Sequence, residues 1–141
     1  MVEELTRQLK GDEAIRLKPY RDTVGKLTIG IGRNLDDDGI SENEAELLLW
    51  NDLSRTVSDL KTHLPWTMQL DEPRQGVVVN MTFNMGIGRL MQFKIMLGAL
   101  QSGDYEKAAE EMGNSLWAEE VGARAQRLMV QMRTGVWQYA A

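Results

Sequence analysis

Val2, Leu5 and Leu9 recur at helical spacing, which predicts a short amphipathic helix over residues 2–13. The pattern then changes. From Leu17 to Gly32 apolar and polar residues alternate between glycines; Pro19 suits an edge strand and Thr23-Val24-Gly25 a turn. Residues 17–36 therefore read as a small antiparallel hairpin or meander. Asp36-Asp37-Asp38-Gly39 reads as a solvated acidic turn, since a calcium loop needs more ligands at defined spacing. Ser41 and Glu44 have the spacing of a capping box. The helix they open runs through Leu47, Leu48, Leu53, Val57 and Leu60 to His63. At about 1.5 Å per residue it is long enough to join two lobes.

Beyond Pro65 the periodicity is helical almost throughout. Helices are expected over 73–85, 90–101, 104–112, 115–120, 123–132 and 134–139, with Pro73 in a first turn and Gly86 and Gly88 as breaks. Eight of the nine methionines fall in this half, where they read as adaptable core rather than as a binding surface.

Length and composition narrow the picture. A chain of 141 residues, 43% hydrophobic and 26% charged, fits one well-packed domain with room for two lobes. The absence of cysteine excludes disulfides and thiolate zinc sites. His63 is the single histidine, which excludes a histidine-rich metal site and leaves a Ser-His-Asp triad only if His63 is its member. The net charge of −5 argues against nucleic acid as a partner. It is unevenly spread: nine basic face fifteen acidic residues up to position 72, and seven face six thereafter. The second half can therefore still meet an anionic polymer. The charged N-terminus lacks the apolar stretch of a signal peptide, and no run approaches membrane-spanning length, so no stable membrane association is expected.

The candidate chemistry lies early. Glu13 ends the first helix, Asp22 lies by the first strand, and Thr28 sits on the next. Glycoside hydrolysis needs one carboxyl protonated for the leaving oxygen and a second one ionised. Spacing alone leaves Glu13 and Asp22 as one pair among twenty-one acidic residues, which are as readily solvated surface groups.

The wider motif singles them out. The segment Gly11 to Gly32, with Glu13, Asp22 and Thr28 set in RLKPYRDT…TIGIG, resembles the active-site segment of the T-even bacteriophage lysozymes, glycoside hydrolase family twenty-four. Asn80 to Gly86 resembles that family's substrate-cleft helix; Ser115-Leu116-Trp117, Arg124 to Arg127 and Arg133 to Trp137 resemble its C-terminal helices. The resemblance implies an α+β, mainly helical, two-lobed fold: a β lobe over about 15–40, a linking helix at 41–64, and a helical lobe of 65–141 plus 1–13. The cleft would lie between the lobes. It implies inverting hydrolysis of the β-1,4 bond between N-acetylmuramic acid and N-acetylglucosamine. Glu13 would be the acid, and Asp22 and Thr28 would hold and activate water, with carboxyls roughly 6.5–9.5 Å apart. No metal or organic cofactor is implied.

The same resemblance puts Gly32, Asn34, Phe83, Asn84 and Arg124 at substrate-contacting or cleft positions, with Arg124 beside Glu13. A cation there lowers a carboxyl pKa, whereas burial and the Asp22 charge oppose it. Gly30 and Gly32 either let backbone approach the sugar or serve hairpin geometry. Asp12 and Arg127 match a buried ion pair. Where relatives carry a histidine this chain has Arg33, whose expected partner is Asp52. Met96 and Glu111 replace polar contact positions, and His63 reads as a helix-end residue. The implied protein is a monomeric endolysin of a phage or prophage. Made in the host cytoplasm, it would act on peptidoglycan after release through a membrane pore. A lytic transglycosylase would dispense with Asp22 and Thr28. The other readings are an inactive wall-binding or virion structural protein and, weakest, a helical interaction protein.

Overall fold

A computed structural model describes residues 1–141. The chain is mainly helical with one small three-stranded antiparallel sheet, an α+β architecture. It divides into two compact units, Met1–Leu48 and Leu49–Ala141.

The first unit opens with α1 (Val2–Glu13), which buries none of its side chains. Ala14 then takes φ +54 and ψ 148, the one non-glycine residue at positive φ. Such a backbone stores about 1–3 kcal/mol of strain and turns the chain sharply out of the helix. Strands β1 (Arg16–Arg21), β2 (Leu27–Gly30) and β3 (Arg33–Asn34) follow in spatial order, with Tyr20 opposite Thr28 and Thr28 opposite Asn34. Pro19, which cannot donate to a ladder, sits on edge strand β1 where the register is irregular. The acidic stretch is not a loop. Leu35–Asp38 form one helical turn, α2, with Asn34 accepting from the Asp37 amide at one end and Gly39 at φ +58 at the other. An Asn cap with three acids in the first turn is favoured by the free amides there.

Helix α3 (Glu42–His63) starts at the expected capping box: Ser41 Oγ accepts from the Glu44 amide at 3.1 Å and Glu44 Oε1 from the Ser41 amide at 3.0 Å. It crosses from the first unit into the second.

In the second unit a 3₁₀ turn (Pro65–Gln69) precedes α4 (Glu72–Met85), capped by Asp71 and carrying Pro73 in its first turn. The expected helix over 90–101 begins only at Lys94, as α6 (Lys94–Gln101), and Gly88, expected as a break, lies inside a separate helical turn, α5 (Ile87–Leu90). The Gln92 and Phe93 amides bond the Arg89 and Leu90 carbonyls and tighten the turn between them. Next come α7 (Tyr105–Gly113), α8 (Leu116–Val121) and α9 (Ala123–Thr134). The expected helix over 134–139 does not form. Gly135 is left-handed at φ +66 and its amide closes α9 on Gln131, while Arg74 takes the Met132 and Arg133 carbonyls. The segment beyond returns over α4, where the Trp137 ring covers Gly76 and the Gln138 amide bonds Gln131.

The core of this unit gathers Leu60, Val77, Val78, Leu90, Leu100, Trp117 and Leu128 around Met81, Met96, Met112 and Met132, all buried. Unbranched methionines fill the irregular spaces between short helices, as their spacing suggested. Leu60 is fully buried, whereas Leu47 on the same helix is 62% exposed. Leu60→Ala is therefore expected to destabilise by about 2–5 kcal/mol, and Leu47→Ala by no more than about 0.5 kcal/mol, in denaturant titrations.

Candidate active site

Asp22, Thr28 and Glu13 all belong to the first unit. Asp22 follows β1 and folds its side chain over the turn ahead: Oδ1 accepts from the Val24 amide at 3.0 Å and from the Lys26 amide at 2.8 Å. The Asp22 amide in turn donates to the Lys26 carbonyl at 2.9 Å, and the Gly25 amide to the Asp22 carbonyl at 3.0 Å. An Asp followed by a glycine three residues on favours this side-chain-closed turn. Thr28 is buried on central strand β2, and its hydroxyl donates to the same Lys26 carbonyl at 2.9 Å. One peptide group thus holds both residues. Lys26 is the participant that the sequence reading missed, because its part is played by backbone atoms.

Chemically, the arrangement leaves acceptors free. The single Thr28 hydroxyl proton is spent on Lys26, so its oxygen offers lone pairs. Both amide bonds to Asp22 fall on Oδ1, and no protein donor occupies Oδ2. A water donating to Asp22 and Thr28 would keep its own lone pair available for attack.

Glu13, last residue of α1, lays its carboxyl against Gly32, between β2 and β3. A methyl group on Gly32, which sits at φ +73, would come within 3.0 Å of the Glu13 Cδ and Oε2. Gly32 therefore serves both the turn and the seat of this carboxyl. Asn34 commits its amide to α2, Oδ1 accepting from the Asp37 amide and Nδ2 donating to Asp37 Oδ2, each at 2.9 Å.

In the second unit, Arg124 donates through Nε and Nη2 to Asn80 Oδ1 at 2.9 and 2.7 Å. Both border a pocket of about 570 Å³ with Phe83, Val79 and Trp137. Asn84 accepts the indole N–H of Trp117 at 2.8 Å. Phe83 is 41% exposed and also borders a second pocket with Thr56 and Ile87. Met96 is core, and Glu111 lines a third pocket with Phe93 and Trp117. His63 bonds the Asp59 carbonyl one turn back. No group of acidic or histidine side chains is arranged to hold a metal ion.

Arg33 departs from expectation. Its partner is Glu44, not Asp52: Nη1 and Nη2 each reach a Glu44 carboxylate oxygen at 2.8 Å, a two-pronged pair, and Asp52 pairs with Arg55. Glu44 is already fixed by the capping box, so its carboxylate is set in place for the planar guanidinium.

Residues 10–134 match the phage lysozyme family. The chain belongs to the phage lysozyme family. It thereby joins a family of glycoside hydrolases. Within it, the chain is 31% identical over 159 aligned positions to the pre-baseplate central spike protein Gp5 of Enterobacteria phage T4, with 93% of the chain aligned. It spans only 28% of that protein's length. It is 29% identical over 164 positions to probable T4-type lysozyme 1 of Dictyostelium discoideum, covering 96% of each. The SAR-endolysin of Bacteriophage PS119 is 26% identical over 125 positions, 86% of this chain and 72% of that one.

The bonds from Arg33, then those from Ser41, pull the Glu44 carboxyl from 4.5 down to about 2. Because the folded value lies below the unfolded one, its contribution to stability is complete above about 4.5 and disappears as pH falls through about 2. Carboxyl carbon NMR titration should place the Glu44 midpoint near 2; a midpoint near 4.5 would mean no pair in solution. Gly32→Ala should displace the Glu13 carboxyl and cost about 1–2 kcal/mol from the left-handed backbone alone, measurable by crystallography and thermal unfolding.

Proposed function

We propose that this protein is a lysozyme that cleaves the β-1,4 bond between N-acetylmuramic acid and N-acetylglucosamine in bacterial peptidoglycan, with inversion. The observation that carries this reading is the Lys26 backbone holding Asp22 through its amide and Thr28 through its carbonyl, with their free acceptors on offer. Family membership supplies the substrate class.

In this reading Glu13 gives its proton to the leaving glycosidic oxygen while water attacks from the opposite face of the ring. Asp22 Oδ2 accepts one hydrogen of that water and removes the proton as the bond to carbon forms. Thr28 Oγ1 accepts the other and directs the water's lone pair. Because the Thr28 hydroxyl donates to Lys26, its oxygen meets the water only as an acceptor. Inversion follows from the use of water rather than a carboxylate as nucleophile. Substrate contacts are assigned to Gly32 and Asn34 in the first unit and to Phe83, Asn84 and Arg124 in the second. Phe83 would offer an apolar face to a sugar ring, and Arg124 and Asn84 hydrogen bonds to its substituents. Asn34 would contribute through its backbone, its side chain being occupied.

The biological role proposed is that of an endolysin lysing a bacterial host, with cytoplasmic synthesis and release through a membrane pore. Relatives named as endolysins support it. No helix is long and apolar enough to cross a membrane.

Purified peptidoglycan is expected to clear with wild-type protein. Glu13→Gln and Asp22→Asn should each lower the rate by at least about 100-fold while circular dichroism stays unchanged. Released sugars should carry new reducing ends of inverted anomeric configuration by NMR. Anhydro-muramic ends would instead indicate a transglycosylase, and absence of clearing by wild type would favour an inactive wall-binding or structural protein.

A further inference from the structure

The acidic turn α2 has a role that the reaction outlined above does not use. Asp36 Oδ2 accepts from the Leu27 amide at 2.7 Å and from Arg21 Nη1 at 3.3 Å, and the same Arg21 nitrogen reaches the Gly25 carbonyl at 3.1 Å. Beside it, Asp37 Oδ1 pairs with Lys26 Nζ at 2.9 Å. The two carboxylates therefore grip residues 21, 26 and 27, and Gly25 through Arg21, on both sides of the turn that Asp22 closes. Asn34 holds Asp37 in turn, through its amide and its carboxylate.

We infer that Asp36, supported by Asp37, is a positioning residue for the water-activating pair, fixing the Lys26–Leu27 backbone on which the orientation of Asp22 and Thr28 depends. This inference rests on the proposed lysozyme reaction. Asp22 is aimed by two backbone amides, and Thr28 by one carbonyl, so any freedom in that backbone passes directly to both side chains. The Leu27 amide lies next to the Lys26 carbonyl in the same peptide group. Its bond to Asp36 thus restrains the plane whose oxygen receives the Thr28 hydroxyl and the Asp22 amide. Asp36 lies nine residues from Leu27 and fifteen from Arg21, so it ties the turn to a separate element rather than merely extending it. Asp36 acts at a distance from the reacting atoms and is not itself catalytic.

The test compares full-length Asp36→Ala, Asp36→Asn and Asp37→Ala with wild type. It uses initial rates of peptidoglycan clearing per folded molecule and hydrogen exchange at the Val24 and Lys26 amides. Asp36→Ala should lower kcat about 10-fold or more with KM nearly unchanged, and exchange at both amides should quicken by a similar factor. Asp36→Asn keeps an oxygen for the Leu27 amide and should recover most of both; Asp37→Ala should show a smaller effect of the same kind. If Asp36→Ala does not fold, Asp37→Ala decides by the same two readouts. Wild-type kcat with wild-type exchange in all three variants would overturn the inference, as would a loss of kcat with unaltered exchange. If wild type clears no peptidoglycan, the reaction assignment falls. The exchange measurement then still decides whether α2 restrains the turn.

Discussion

Much of the first unit depends on a short side chain satisfying backbone amides. Asp22 lies at the end of a strand and accepts from residues two and four positions on, replacing strand partners that the turn cannot provide. This choice has two effects at once. It closes the hairpin, and it fixes one carboxylate oxygen so that the other projects in a defined direction. A longer glutamate would reach past these amides, and an asparagine would keep the turn while losing the charge. Structural and chemical demands therefore fall on the same atoms.

The first unit also shows how little apolar burial such a site requires. Thr28 is its one buried residue, and what surrounds it is a set of polar ties: Arg21 with Asp36, Lys26 with Asp37, Arg33 with Glu44, and the Asn34 cap. Each is partly exposed, and pairs of that kind contribute little individually because water and salt screen them. Their value here is directional: several weak bonds converging on one small segment hold its orientation more firmly than they hold the fold. The second unit is organised in the opposite way, around a methionine-rich core whose buried polar atoms all find partners.

This difference explains what the sequence could and could not convey. Apolar periodicity located α1, α3, α4, α7, α8 and α9 because those elements answer to burial or to strong caps. It failed at α2, where three aspartates read as solvent-facing loop. Their folding is set by an Asn cap and by cations brought in from the end of β1 and from the turn before β2, which no local pattern records. It failed again at 134–139, where left-handed Gly135 and a distant arginine outweigh helical propensity. In the candidate site, Glu13, Asp22 and Thr28 were legible only through their motif. The part played by Lys26 was not legible, since any residue type has the same peptide group. Arg33 was recognised as a departure but given the wrong acid: Asp52 and Glu44 lie on one helix, and only the capping box singles out Glu44 as already held in place.

The closing contact of α9 carries a consequence for how the second unit is completed. Arg74 caps carbonyls 58 and 59 residues further along the chain, and stacks its guanidinium 3.6 Å from the centre of the Tyr105 ring between them in sequence. Until the chain has been synthesised past Arg133, that cation has no carbonyls to receive it, and the carbonyl end of α9 has no cap. The end of α9 is thus held by a contact of high sequence separation rather than by its own neighbours alone. The cap of α9 is built from the opening turn of α4, so the two helices share one terminus.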